Sequence, residues 1–366
     1  MKTVFVRIFK YIFVPLSLLV LALLLAGVTT REIKISKVRT ARAMSGDKSI
    51  EAVVDVSIGG TTQWLQIRTQ DFTNPVLLYL HGGPGSPMMP MNHSFQNGWE
   101  KHFTVVQWDQ REAGKSYTGK SSPHSLTIER YIADTLEVTE YLRKRFKQKK
   151  IVLLGHSWGS LLGVHAIARK PEYYSAYVGV GQVVHMMKGE ALSYQYTLAQ
   201  AKKRNHSAAL KDLQAIAPYP DSMTTEKVLV ERRWLTEFGG AIYGETSPSI
   251  ILGILLTSPD YDLGDLWGFV AGSLLSLDTL WPQLTQADIE RDLGFKYQVP
   301  LFLFSGRHDY QVPSSLSSTW FKKLEAPHKE EVWFEKSCHV PMYSEPARFT
   351  SELVKRVLPY AKGDMN

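Results

Sequence analysis

The 366-residue chain has 44% hydrophobic and 21% charged residues, an ordinary globular balance with length enough for a sizeable core. Its one cysteine, Cys338, excludes an internal disulfide framework. The formal charge of +7 arises within residues 1–50, where nine Lys and Arg face two acids, while residues 51–366 balance. That distribution excludes a basic nucleic-acid footprint on the main domain.

Tyr11–Val28 is apolar without a charge and follows Lys2, Arg7 and Lys10. With Val4–Phe9 it is long enough to span a bilayer, so residues 1–30 read as a single-pass membrane anchor. The alternative is a cleaved signal peptide, although the apolar core exceeds the usual length and Ala26-Gly27-Val28 is a poor cleavage site. Basic residues flank both sides, so the orientation stays open. Residues 31–76 read as β-structure, with Glu51–Ile58 alternating around valines and Gly59-Gly60 offering a turn.

Pro75–Leu80 and Phe103–Trp108 read as buried strands, Ile128–Phe146 as a helix, and Ile151–Leu154 and Tyr177–Gly181 as further strands. Continuous apolar strands alternating with helices predict a mostly parallel sheet covered on both faces. From Met186 to Asp292 the strand signals give way to helical stretches, among them Glu190–Arg204, Thr225–Phe238, Ser249–Leu256 and Trp267–Leu277. This reads as an inserted helical cap. Strands return at Pro300–Phe304 and Glu331–Phe334, each followed by a helix candidate. The expected division is therefore an anchor over 1–30, core over 31–185, cap over 186–292 and core again over 293–366.

Gly155-His156-Ser157-Trp158-Gly159 sits between the strand at Ile151 and a helical pattern. It matches G-x-S-x-G in the strand–turn–helix setting that a nucleophile elbow requires. A serine hydroxyl needs a base to take its proton, and the base needs an orienting carboxylate. Asp309 follows the strand at Pro300 and His339 follows the strand at Glu331, the order and placement that bring both to the serine. His308 is a rival base but would displace the orienting group. Cys338 reads as a small neighbour of His339. Oxyanion donors are expected from the backbone of Gly82 and Gly83, after the strand at Pro75, and from Trp158, the residue after the serine. No metal constellation and no cofactor is predicted, and Met88, Met89 and Met91 with Phe95 and Trp99 read as pocket lining or packing under the cap.

Three blocks carry a family resemblance. They are His81–Ser86 (H-G-G-P-G-S), Trp108–Ser116 (W-D-Q-R-E-A-G-K-S) and Gly155–Ser160 (G-H-S-W-G-S). With Gly306-Arg307-His308-Asp309 and His339 they resemble the proline iminopeptidase-like group of α/β-hydrolases over roughly residues 50–360. The resemblance implies the α/β-hydrolase fold and an acyl-enzyme serine hydrolase, an aminopeptidase acting on small peptides or amides. In that group acidic cap residues bind the substrate's free amine. Trp234-Leu235-Thr236-Glu237 is similar to a family stretch, so Glu237, with Trp234 beside it, is a candidate ammonium ligand. Its alternative is a solvated helix carboxylate. Two positions depart from the pattern: Glu112 replaces a glycine, and His156 replaces the second glycine common in iminopeptidases. G-H-S-x-G is shared with esterases, so a carboxylesterase or other small-amide hydrolase is the alternative. A silent, membrane-tethered binding protein is the reading from a different class.

Overall fold

The computed structural model describes residues 14–221, 223–244 and 248–364. Among these, eight strands form a sheet: β1 (Ile50–Ile58), β2 (Thr61–Thr69), β3 (Val76–Leu80), β4 (Thr104–Asp109), β5 (Ile151–His156), β6 (Tyr174–Val180), β7 (Leu301–Gly306) and β8 (Lys329–Phe334). Their order is β1-β2-β4-β3-β5-β6-β7-β8. β2 runs antiparallel to β1 and β4, and the pairs from β4 through β8 are parallel. Every residue of β3, β4, β5 and β7 is buried, as strands covered on both faces must be.

The two-residue period splits β3 between two cores. Val76, Leu78 and Leu80 join the cluster that holds Tyr131, Leu161 and Trp320, while Leu77 and Tyr79 join Phe95, Trp99 and Phe349. The first layer is built on α2 (Ile128–Arg145) and α3 (Trp158–Arg169), the second on the helical turns of residues 341–362. An N-terminal helix, α1 (Val14–Arg42), precedes them. Met88, Met91, Phe95 and Trp99 therefore pack beneath the sheet, and Trp99 stacks on Phe349 at 5.3 Å.

Between β6 and β7 the chain forms α4 (Met186–Lys203), α5 (Ser207–Ala215), α6 (Thr225–Glu237), α7 (Pro248–Leu256) and α8 (Leu263–Leu284). Asp262 and Asp265 close a capping box at the start of α8, satisfying amides that a helix start leaves free. Asp265 also pairs with Lys115, whose Nζ donates to the Asp260 carbonyl at 3.2 Å. These contacts fasten the cap to the loop after β4.

The expected membrane anchor is overturned. Among the described residues no helix is long and apolar enough to cross a membrane, and residues 1–13, where that anchor was to begin, lie outside them. The uncharged stretch of α1 ends at Thr30 and the helix continues through Arg31, Glu32 and Lys34 to Arg42. Its charged half docks on the domain instead. Arg31 donates to the Tyr261 carbonyl at 2.8 Å, Arg39 to the Pro259 carbonyl at 2.9 Å, and Arg42 to Asn92 and Glu100 at 2.7 and 3.0 Å. Residues 31–42, expected as β-structure, are thus helical.

Candidate active site

Parallel pairing gathers the site. Leu80 is opposite Gly155, His156 opposite Val180, and Gly306 opposite Phe334, so the loops after β3, β5, β6, β7 and β8 leave along one sheet edge. Ser157 follows β5 with φ 55° and ψ −121°, and α3 starts at the next residue. Its amide donates to the Val180 carbonyl at 2.8 Å. A Cβ on Gly155 would lie 2.5 Å from the Gly159 carbonyl oxygen, and one on Gly159 would lie 2.2 Å from that of Leu80. Only glycine admits those approaches.

Asp309 Oδ1 accepts the amides of Gln311 and Val312 at 3.0 and 2.9 Å, and Oδ2 accepts from His339 Nδ1 at 2.9 Å. A proton on Nδ1 leaves Nε2 as the acceptor. Nε2 is buried and has no partner among the described residues. His156 Nε2 donates to the His339 carbonyl at 3.0 Å and the two rings lie 4.8 Å apart. The residue that departs from the iminopeptidase pattern therefore holds the His339 loop against the elbow. The other departure, Glu112, adopts φ 53°. Its carboxylate accepts from the amides of Thr118, Gly119 and Ser121 and from the Thr118 hydroxyl, which fixes the loop that glycine alone would leave free.

Gly83, Ser157 and Trp158 line a cavity of about 300 Å³ under the cap. A Cβ on Gly82 would lie 3.1 Å from Ser157 Cβ, so the Gly82–Gly83 backbone passes close to the serine. Trp158 opens α3, where the first amides have no carbonyl a turn earlier and the helix dipole favours negative charge. Its indole donates to Gln110 at 2.9 Å. Apolar walls come from Val183, Met186, Val228, Leu277, Trp281 and Val312, and charged ones from Glu190 and Arg232.

Sequence reasoning missed that charged pair. Arg232 bonds both Glu190 and Glu231, which is fully buried. Ser193 and Thr197 hydroxyls donate to Glu231 at 2.8 and 2.9 Å, and Tyr219 donates to Glu190 at 2.5 Å. Burial opposes the Arg232 charge, and the carboxylates of Glu190 and Glu231 more than offset it. Burial pushes the Glu231 carboxyl up despite Arg232. The cluster therefore holds two carboxyl groups around one guanidinium.

The cap residues singled out in the sequence lie elsewhere, a correction to that reading. Glu237 is the exposed last residue of α6. Trp234 is buried inside the cap, donates to Asp212 at 3.1 Å and stacks on Phe238. Six residues along a helix turn the side chain by roughly 240°, or about 120° by the shorter way round, so Glu231 and Glu237 lie on different sides of the helix. The pairing of Glu231 with Arg232 next to it was the available signal. His308 is exposed against Tyr243. Cys338 donates to the Gly239 carbonyl at 3.3 Å, and burial pushes its thiol up to about 12.

The sequence pattern of the alpha/beta hydrolase fold family matches residues 75–346. The chain belongs to the α/β-hydrolase family. Within it, this hydrolase is proline iminopeptidase-like. It is 35% identical over 310 residues to a probable aminopeptidase, YbaC, of Bacillus subtilis (strain 168), covering 84% of this chain and 96% of the relative. It is 26% identical over 308 residues to a proline iminopeptidase of Heyndrickxia coagulans, covering 82% and 95%. The crystal structure of a Mycobacterium smegmatis proline iminopeptidase has the same fold, with a TM-score of 0.64 at 16% identity, covering 86% of this chain and 100% of that one.

Two buried histidines give the hydrolase a pH dependence. His81 Nδ1 donates to the Gly82 carbonyl at 2.8 Å and Nε2 accepts the Gln110 amide at 3.2 Å. Burial pushes His81 down to about 4, and burial with the nearby His339 pushes His156 to about 3. The unfolded chain, titrating near ~6.5, then binds protons first, so stability is kept above that pH and lost as pH falls towards 4. Asp109 opposes them. Burial raises its carboxyl to about 7, so the folded chain takes up that proton first. His93, which burial and the nearby Arg42 also hold down at about 4, adds to the two rings, and these three outweigh the Asp109 carboxyl, leaving a net loss of stability between pH 7 and pH 5. Urea midpoints should fall accordingly over that range, and equal midpoints contradict these assignments.

Proposed function

We propose that this chain is a serine hydrolase that works through an acyl-enzyme and acts as an aminopeptidase on small peptides or amides. The observation that carries the reading is the cavity at Ser157, one side of which is the Glu190–Arg232 pair. Names among its relatives, an aminopeptidase and proline iminopeptidases, support the same class.

In this reading Ser157 Oγ attacks the carbonyl carbon and His339 Nε2 takes its proton. Asp309 keeps the imidazole proton on Nδ1 and stabilises the imidazolium. His339 Nε2 has no partner among the described residues, so in this reading its bond to Ser157 Oγ forms in the substrate complex. Backbone N–H groups of Gly82, Gly83 and Trp158 receive the oxyanion. His339 then returns the proton to the leaving amine, and water, activated by the same base, releases the acyl group. A substrate ammonium pairs with Glu190, the carboxylate that lines the cavity.

Glu190→Gln keeps the shape and removes the charge. Its kcat/KM on proline p-nitroanilide is expected to fall at least ~10-fold, because a charge-assisted bond is lost. Hydrolysis of p-nitrophenyl butyrate should stay within about twofold, since that ester has no amine to pair. Equal losses on both substrates, or none, remove the amine-binding role. Turnover of the ester alone by the unmodified protein selects the carboxylesterase alternative.

A further inference from the structure

We infer that Ser273, on cap helix α8, is a positioning residue that holds the oxyanion loop in working geometry. The inference rests on the acyl-transfer reading above.

The loop from Gly82 to Ser86 is short and rich in glycine. At its base the Ser86 amide donates to the Gly82 carbonyl at 3.2 Å. At its tip the Gly85 carbonyl accepts from Ser273 Oγ at 2.7 Å, and Ser86 Oγ lies 3.5 Å from the same hydroxyl. Glycine leaves its backbone with more freedom than any other residue. An oxyanion site accelerates reaction only when its donors are already aimed. The Ser273 bond removes rotational freedom from the peptide group two residues beyond Gly83.

The helix that carries Ser273 is itself held close to the core. A Cβ on Gly85 would lie 2.7 Å from both Cβ and Oγ of Ser276 and 2.8 Å from the Gly272 carbonyl oxygen. A Cβ on Gly272 would lie 2.2 Å from the Glu112 carbonyl oxygen, and one on Gly268 would lie 2.4 Å from that of Gly114. Positions 268, 272 and 276 recur every four residues and share one helix face. That face seats α8 on the core loops. Ser273, Leu277 and Trp281 repeat the same spacing one residue on and line the cavity. One rigid helix thus walls the substrate cavity and fixes the loop that would receive the oxyanion.

The test compares Ser273→Ala with Ser273→Thr on proline p-nitroanilide or, if the protein turns over only esters, on p-nitrophenyl butyrate. Ser273→Ala should lower kcat about 10-fold with KM within about twofold, as expected for misplaced donors rather than lost binding. Affinity for a boronic acid, which mimics the tetrahedral adduct, should fall in parallel. Ser273→Thr keeps a hydroxyl and should restore most of both. A role confined to structure would lower the thermal midpoint and leave the ratio of boronate to substrate affinity unchanged. An unchanged kcat in Ser273→Ala, while Ser157→Ala is inactive, overturns this inference alone. Turnover that survives Ser157→Ala overturns the acyl-enzyme reading and this inference with it.

Discussion

Replacing Ser157 by alanine will lower kcat/KM by about 10⁴-fold or more, a loss typical of removing the attacking atom from a serine site. The fold should persist, because the hydroxyl is not among the groups that hold the elbow. The elbow rests on the Ser157 amide bonded to Val180 and on close packing at Gly155 and Gly159. Ser157→Gly sharpens the test. At φ 55° and ψ −121° a side chain sits in a sparsely populated region that costs on the order of 1–3 kcal/mol. Glycine releases that strain at a smaller cost in unfolded-chain entropy. The variant should therefore be inactive and about 1 kcal/mol more stable, measured by urea unfolding. Strain retained for function gives these opposite signs. Full activity in either variant contradicts the assignment.

Asp309→Asn is expected to lower kcat by about 10⁴-fold with little change in KM. Asp309 accepts three N–H donors, the amides of Gln311 and Val312 and His339 Nδ1. Asparagine has one acceptor oxygen in place of two. If that oxygen stays on the loop amides, the side-chain NH₂ faces Nδ1 and forces the proton to Nε2. The base then has no lone pair to offer the serine. If the side chain turns over, the loop amides lose their acceptor, and the urea midpoint falls. Either outcome slows the reaction, and the second is visible as lost stability. Activity within tenfold of the parent would mean that His339 needs no carboxylate.

The sheet and the placement of Ser157, Asp309 and His339 along one sheet edge were legible because both rest on short-range signals. Continuous apolar runs gave β3, β4, β5 and β7 to within a residue or two. G-x-S-x-G in a strand–turn–helix setting has a steric cause, visible in the 2.2–2.5 Å approaches at Gly155 and Gly159. Asp309 and His339 follow strands that pair in parallel, so their convergence was implied by topology. What failed was longer-range. Residues 31–42 contain β-branched Ile33, Ile35 and Val38, yet they continue α1, because Ile35 is buried and Arg31, Arg39 and Arg42 find acceptors on the domain. Helix α5 went unmarked.

Trp234 and Glu237 are not among the residues that line the cavity, for a related reason. A tryptophan followed by glutamate directed attention to Trp234 and Glu237, while the charged wall of the cavity comes from Glu190 on α4 and Arg232 on α6. Which face of a cap helix turns inward depends on packing between helices far apart in sequence. Of the cap tryptophans, Trp281 lines the cavity, Trp234 is interior to the cap, and Trp267 is 67% exposed. The capping box of Asp262 and Asp265, by contrast, depends only on residues within one turn of each other.

The most direct measurement is to map by mass spectrometry the adduct formed with a fluorophosphonate, which reports a hydroxyl activated by its base. A single adduct is predicted on the tryptic peptide containing Ser157, absent in Ser157→Ala and formed far more slowly in Asp309→Asn. No adduct on the native protein, or an adduct on a different residue that persists in Ser157→Ala, would contradict the account.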